Sequence, residues 1–510
     1  MGWKKMNRTE KFIKNTLATG LLQIITMISG FIIPKVMIVF YGSEVNGIVT
    51  SISQFISYLT LLEAGLSGAT VFSLYKPIAC HDELAINRIL VAAKNLYYKT
   101  GHLFSCMVVL CAAAYPFFIN STTLDYGELF ILFLILGVNG VLEFYTLAKY
   151  RALLTADQKT YVISLASIVQ VILNVFIITF LSFEECSIVL VRGVAVIAIF
   201  LRTYILWRYC RKHYRFLDFS VEPNNDAMKQ RWDALYLQVL GAIHQGAPIL
   251  IITFCLSLTD VSIYAIYNLV ILGINSLLGI FMTGLSSGFG DLIARKEVQA
   301  FHKAFNEFEF IYYILITAIF STMLFVYLSF IEVYTRNSDI SYIYPIFAFL
   351  MTVNGFFYNI KTPFGMLVIS AGKYRETRIQ TTLQGMIELL GGIGLAFVWG
   401  INGVVIGSIL SNLYRDIEFL FFAPKHLTYT PAMHTIKLWI VNTSIFAVCI
   451  AASAYLGNLV FSNFALWILG ATGIFILCCF IIIMINAILF QSLAKSSFLR
   501  LKNIVRRGAN

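Results

Sequence analysis

Charge is scarce in this chain. Only 12% of its 510 residues are Asp, Glu, Lys or Arg, against about a quarter in soluble domains. With 59% hydrophobic residues and a mean hydropathy of +0.80, this excludes a string of water-soluble domains. The nine cysteines include no CxxC pair, and the adjacent Cys478 and Cys479 diverge on a helix. A disulfide framework or metal site is therefore not expected, nor any other cofactor. There is no Walker loop and no HExxH. The expected outer loops are short, with little beyond Glu184-Glu185 and Glu332–Asp339. Nothing in them supports hydrolytic or transferase chemistry, so an enzyme is not expected.

What the chain has instead is length without polarity. A membrane helix needs about 20 mostly apolar residues. Fourteen segments qualify: 15–40, 46–74, 101–119, 126–148, 161–183, 187–207, 234–256, 261–290, 308–330, 342–369, 379–399, 402–422, 438–456 and 464–490. The basic run in residues 1–14 (Lys4, Lys5, Arg8, Lys11, Lys14) precedes an apolar stretch too long for a signal core and without a small-residue cleavage site. It reads as the flank of an uncleaved first span.

The net charge of +11 follows from topology rather than nucleic-acid binding. Of the 37 Lys and Arg, nearly all fall in alternate loops and the two termini. Arg336 alone falls in an opposite loop, and Lys35, Arg192, Arg202, Lys361 and Arg415 lie within spans. The positive-inside rule then makes both termini cytoplasmic. Trp3, Trp207, Trp232, Trp399, Trp439 and Trp467 sit near span ends, as an interfacial belt requires.

The sequence repeats at an offset of about 215 residues. Leu22-Gln23-Ile24 recurs as Leu237-Gln238-Val239, Pro34 as Pro248, and Arg202 as Arg415. Gly65-Leu66-Ser67-Gly68 returns in Gly284–Gly288, and Thr155–Lys159 in Ser370–Lys373. Six spans separate the copies, so both share one orientation, related by an axis along the membrane normal. The expected fold is an all-α polytopic membrane protein of about 14 transmembrane helices, in two six-helix lobes plus two extra C-terminal helices. The divisions are a basic cytoplasmic N-terminus (1–14), lobe one (15–207), a cytoplasmic linker (208–233), lobe two (234–422), spans 13 and 14 (438–490) and a basic C-terminus (491–510). Spans 13 and 14 have no counterpart in lobe one. They either form a lipid-facing or tail-binding groove or simply pack on the core.

Candidate functional residues are the polar ones that a bilayer would penalise. Span 2 carries a stripe of Asn46, Thr50, Ser53, Ser57, Thr60 and Ser67, and span 8 carries Asn268, Asn275 and Ser286. A polar helix face must meet protein or water rather than lipid. Its two readings are a hydrated cavity and helix–helix hydrogen bonding. A charge near a span centre costs about 2.5–3.5 kcal/mol and so has a partner or a task. Glu63, Glu143, Glu388 and His244 are candidates for proton or cation coupling. Arg192, Lys361, Arg415 and Lys35 are candidates for a cationic, substrate-binding cavity, since Arg binds phosphate through two hydrogen bonds. Arg415, followed by Asp416 and Glu418, has the alternative of closing a cytoplasmic gate. Pro34, Pro248 and Pro363 are candidate hinges, because proline removes a backbone bond and allows a kink.

Several stretches carry a family resemblance. Tyr41-Gly42-Ser43-Glu44-Val45-Asn46-Gly47, Leu61-Leu62-Glu63-Ala64-Gly65-Leu66 and Leu74-Tyr75-Lys76-Pro77 resemble bacterial polysaccharide flippases of the Wzx type. So do Lys361-Thr362-Pro363, Ser370-Ala371-Gly372-Lys373-Tyr374 and Gly400-Ile401-Asn402-Gly403-Val404-Val405-Ile406-Gly407. The resemblance spans roughly residues 8–425. It belongs to the superfamily that contains multidrug exporters and the peptidoglycan lipid flippase. It implies alternating access, a cationic cavity and coupling to H⁺ or Na⁺. The implied substrate is an undecaprenyl-pyrophosphate-linked oligosaccharide of an O-antigen (lipopolysaccharide), capsule or other polysaccharide pathway. The implied site of action is the bacterial inner membrane; the chain is expected to be a monomer, and a polysaccharide polymerase is a candidate partner. Span 1 departs from the peptidoglycan lipid flippase in lacking arginine and from many multidrug exporters in lacking a carboxylate. Drug or cation export and lipid II flipping stand as the alternatives.

Overall fold

The computed structural model describes residues 8–224, 246–373, 375–428, 432–457 and 459–508. Every regular element among them is helical. Among the described residues the expected spans run through seventeen helical elements, because some spans join and others break. Helix α1 (Arg8–Cys80) holds spans 1 and 2, separated by a kink at Gly42, whose φ of 83° is open to glycine and strained for most other residues. Helices α2 (Glu83–Phe118) and α3 (Tyr126–Leu142) follow; the latter leads through a π-helical turn (Glu143–Leu147) into α4 (Ala148–Ala156). Helix α5 (Thr160–Phe183) precedes α6 (Ile188–Ala195) and α7 (Ile197–His213). These are succeeded by α8 (Gly246–Cys255) and α9 (Leu258–Ala294).

Next come α10 (Val298–Tyr334), then α11 (Pro345–Ile360) and α12 (Thr362–Ser370), which divide span 10 at Lys361. The long α13 (Arg378–His426) is followed by α14 (Met433–Leu456), α15 (Phe464–Leu489) and α16 (Gln491–Gly508). Ten of these helices are long and apolar enough to cross a membrane. Two of the ten hold two spans each; span 10 is broken at Lys361, and of span 7 only residues 246–256 are described.

Helix α13 is a hairpin rather than one rod. Trp399 and Gly400 leave helical geometry, Gly400 with φ of 56°. The arms then pack antiparallel. Ser411 donates to the Gln384 carbonyl at 2.9 Å and Ser408 to Glu388 at 3.0 Å. A Cβ on Gly407 would collide with the backbone of Gly391 and Gly392. Small residues let the arms approach to backbone contact, as membrane helix pairs commonly do.

The chain forms two compact units, Met1–Ser262 and Ile263–Asn510. The boundary falls after α8 rather than within 208–233, because α8 packs on the second half of α1. Thr253 donates to Ser51 at 3.0 Å and Asn46 to Ser262 at 2.8 Å. The described part of the linker lies on α2. Asn87 donates to the Phe216 carbonyl at 2.8 Å, and the ammonium groups of Lys94 and Lys149 sit over the Phe219 ring. Residues 225–233, the rest of the linker, lie outside the described residues.

In the first unit, Phe104, Phe133, Tyr97 and Ile48 are buried in a core where α1, α2 and α3 meet. Helix α5 exposes Leu165, Val169, Ile172, Phe176, Phe180 and Phe183. Their three- and four-residue spacing makes one apolar stripe, the surface that lipid covers in a membrane protein. In the second unit α10 is the most buried helix, with α11, α14, α15 and α16 against it. Spans 13 and 14 dock on it through polar rungs as well as apolar contacts: Thr317 to Asn442 at 3.2 Å, and Asn442 to Asn486 at 3.3 Å. Trp467 caps the contact by donating to the Val326 carbonyl at 3.0 Å.

Candidate functional site

A cavity of about 950 Å³ lies inside the first unit. Its walls come from α1 (Thr60, Glu63, Ser67, Tyr75), the α3–π–α4 segment (Asn139, Glu143, Arg151), α5 (Gln170) and α7 (Arg202). Four formal charges meet there. The Arg151 guanidinium pairs with Glu143 and lies 3.7 Å from Glu63. Arg202 reaches Glu143 at 4.0 Å and donates to Gln170 at 3.2 Å. Two acids and two bases thus neutralise one another around open space.

The π-turn explains how Arg151 arrives. In an α-helix, residues eight apart are offset by about 80° around the axis, at 3.6 residues per turn. The Ala148 N–H donates to the Glu143 carbonyl, five residues back. That widened turn absorbs one extra residue, taking about 100° back off and bringing Arg151 into line with Glu143. Single π-turns recur at functional sites for this kind of re-aiming. Sequence reasoning left Arg151 among the loop cations, since an α-helical projection turns it away from Glu143. The polar pair Glu143/Arg202 and the amide Gln170 were the signals that could have found it.

The expected coupling and stripe residues separate into three groups. Glu63 and Glu143 share the cavity with Thr60 and Ser67. Asn46 is buried in the contact with Ser262, a packing role, while Thr50 is half-buried. Ser53 and Ser57 are exposed, and Ser53 bonds back to the Val49 carbonyl at 2.6 Å. Glu388 lies in the other unit, buried in the α13 hairpin against Ser408. His244 lies outside the described residues.

The expected substrate-binding cations do not converge on this cavity. Arg192 in α6 sits beside a small cluster of Val36, Ile178, Val191 and Ala195. Its Nε is buried, with no hydrogen-bond partner among the described residues. Lys35 is half-buried in α1. Lys361, at the α11–α12 break, donates to Asn412, which in turn donates to Asn354 at 2.9 Å; its ammonium also lies 4.8 Å from the Tyr358 ring centre. Arg415 is 4% exposed and fully engaged, by Glu418 at 2.5 Å, by Thr377, and by the Phe419 ring at 4.0 Å. In the second unit, Asn275 accepts from Asn359 at 2.9 Å, and Asn268 is half-buried.

The expected hinges are also placed. Pro34 lies within helical α1, where the break is at Gly42 eight residues later. Pro248 lies within α8, and Pro363 opens α12 just after the break at Lys361.

Comparison of the fold gives two informative likenesses. A lipid II flippase, MurJ, in an inward closed conformation matches with a TM-score of 0.66 at 15% identity, over 94% of this chain and 99% of that one. An inward-facing multidrug resistance MATE family transporter of the MOP superfamily matches with a TM-score of 0.62 at 14% identity, over 81% and 95%. No family model and no curated protein matches the sequence. The chain is an all-helical, multi-pass membrane protein with the fold shared by these two proteins.

Proposed function

We propose that this chain is a membrane transporter rather than an enzyme: a flippase carrying undecaprenyl-pyrophosphate-linked oligosaccharide from the cytoplasmic to the periplasmic leaflet by alternating access. The observation that carries the reading is the presentation of Arg151 and Arg202 to a cavity of about 950 Å³ whose balancing charges are carboxylates. A pyrophosphate offers what Glu63 and Glu143 offer, an anionic oxygen surface for guanidinium forks, with more charge. The cargo would take the arginines by exchange.

Exchange also supplies a route to coupling. With both glutamates ionised, the four charges sum to zero; with both protonated, the arginines present two uncompensated positive charges. Proton binding to the glutamates would therefore strengthen anion binding, and proton loss would weaken it. Neutral pairing when empty avoids the cost of holding unpaired charges inside spans.

The test is deletion in the native host, with analysis of surface glycan and of lipid-linked repeat units. Loss of glycan with repeat units trapped in the inner leaflet is the expected result. Normal glycan with sensitivity to cationic drugs would favour the exporter, a reading that rests on Glu63 and Glu143 lining the same cavity. Arrest of peptidoglycan synthesis would favour lipid II as cargo.

A further inference from the structure

A second cavity, about 160 Å³, lies wholly in the other unit, where the first halves of α10 and α12 meet the end of α13 and the start of α14. It holds two unmet demands. Glu309, about three turns into α10, is 1% exposed, yet it has no cationic partner among the described residues. Its carboxylate is met only by hydroxyls: Thr435 at 3.0 and 3.1 Å and Tyr313 at 3.3 Å. Across the cavity His434 presents a buried Nε2 with no hydrogen-bond partner among the described residues. A buried carboxylate without a counter-charge and a buried polar atom without a partner each cost free energy. Among the described residues no Lys or Arg lines the cavity; its titratable groups are Glu309, His302 and His434.

We propose that this cavity binds a primary ammonium group, carried by an amine in solution or by a lipid head group. One N–H would donate to Glu309, one to His434 Nε2, and the third to the side-chain oxygen of Asn306 or Thr428. Phe305 and Phe364 supply the aromatic wall that a cation also favours. A proton on Glu309 would answer its charge but leave His434 unmet; an alkali ion would find a single carboxylate and poor imidazole ligands. An ammonium ion answers both. The site stands apart from the Arg151–Arg202 cavity and does not depend on the cargo proposed for it.

The test uses the full chain in phosphatidylcholine nanodiscs, titrated with methylammonium, ethanolamine, sodium and tetramethylammonium at constant ionic strength, with thermal midpoint and Trp fluorescence as readouts. The expected result is a saturable upward shift with methylammonium and ethanolamine, and none with sodium or with tetramethylammonium, which has no N–H. Glu309→Gln should weaken amine binding about tenfold or more, and His434→Ala about threefold to tenfold, as loss of a charged and a neutral hydrogen-bond partner requires. His434 lies in the first turn of α14 and its replacement tests the site even if Glu309→Gln fails to fold. Repeating the titration with phosphatidylethanolamine present fixes the source, because a lipid amine in the site weakens the response to free amine. A sodium response as large as the amine response, or an amine response unchanged in both variants, would overturn the proposal.

Discussion

Arg202 and Arg415 occupy equivalent positions in a duplicated sequence and have come to opposite ends. In the first unit Arg202 faces open space, held by a glutamate at 4.0 Å and an amide at 3.2 Å. In the second, Arg415 is closed in by Glu418, Thr377 and the face of Phe419. A loose ion pair at a cavity wall can be exchanged for a ligand. A buried one with several satisfied contacts cannot, and removing one partner strands the other. The local partners differ: one arginine is presented to a cavity, and the other is a brace between packed helices. The contrast also bears on Arg415 as a substrate-binding group. Its contacts are those of a buried ion pair within α13, with Glu418 as partner.

The contrast can be broken first at the arginines. Arg151→Ala and Arg202→Ala should each reduce transport more than tenfold, measured as surface glycan in the deletion host, with little change in folded yield. Arg415→Ala should reverse the pattern, lowering the thermal midpoint of the purified protein while sparing the specific activity of what remains folded. Equal behaviour of Arg202 and Arg415 variants would dissolve the distinction.

A second comparison sets this exchangeable pair against a fixed one outside the spans. Asp157, 5% exposed, is held by Lys159 at 2.8 Å, Lys11 at 3.0 Å and the Tyr214 hydroxyl at 2.6 Å. Burial would raise its carboxyl, but the bonds from Lys159, Tyr214 and Lys11 overcome that and keep it below its ordinary value of 3.8. A lowered value in the folded state means that this stability is present above pH 3.8 and is lost as pH falls through the lower folded value. Asp157→Asn should therefore destabilise the protein by about 3 kcal/mol at neutral pH, and melting curves of variant and wild type should converge in strong acid.

Packing in the α13 hairpin should yield less. Gly407→Leu forces apart arms that touch through backbone, for about 1–3 kcal/mol, read as a lower thermal midpoint. The smallest effect belongs to Lys373–Glu376, an exposed pair at 3.0 Å. Glu376→Gln should stay within about 0.5 kcal/mol.

Apolar run length made the spans legible, and Gly400-Ile401-Asn402-Gly403 lay where the hairpin turns. Glu63 and Glu143 stood out because acids inside apolar runs are costly. Three things stayed hidden for physical reasons. Arg151 needed a backbone irregularity that no helical projection contains. Glu309 lies next to the polar entry of span 9, where a carboxylate reads as solvated, although α10 carries it into the core. The boundary after Ser262 depends on contacts between α8 and α1 that sequence spacing does not encode.

The central claim is that Arg151 and Arg202 form an anion site that glutamates occupy when cargo is absent. Its most direct test is the affinity of the purified protein in nanodiscs for undecaprenyl pyrophosphate, compared among wild type, Arg151→Ala, Arg202→Ala and Glu143→Gln. The account predicts about tenfold weaker binding in each arginine variant and tighter binding in Glu143→Gln. Unchanged affinity in the arginine variants, or weaker binding in Glu143→Gln, would contradict it.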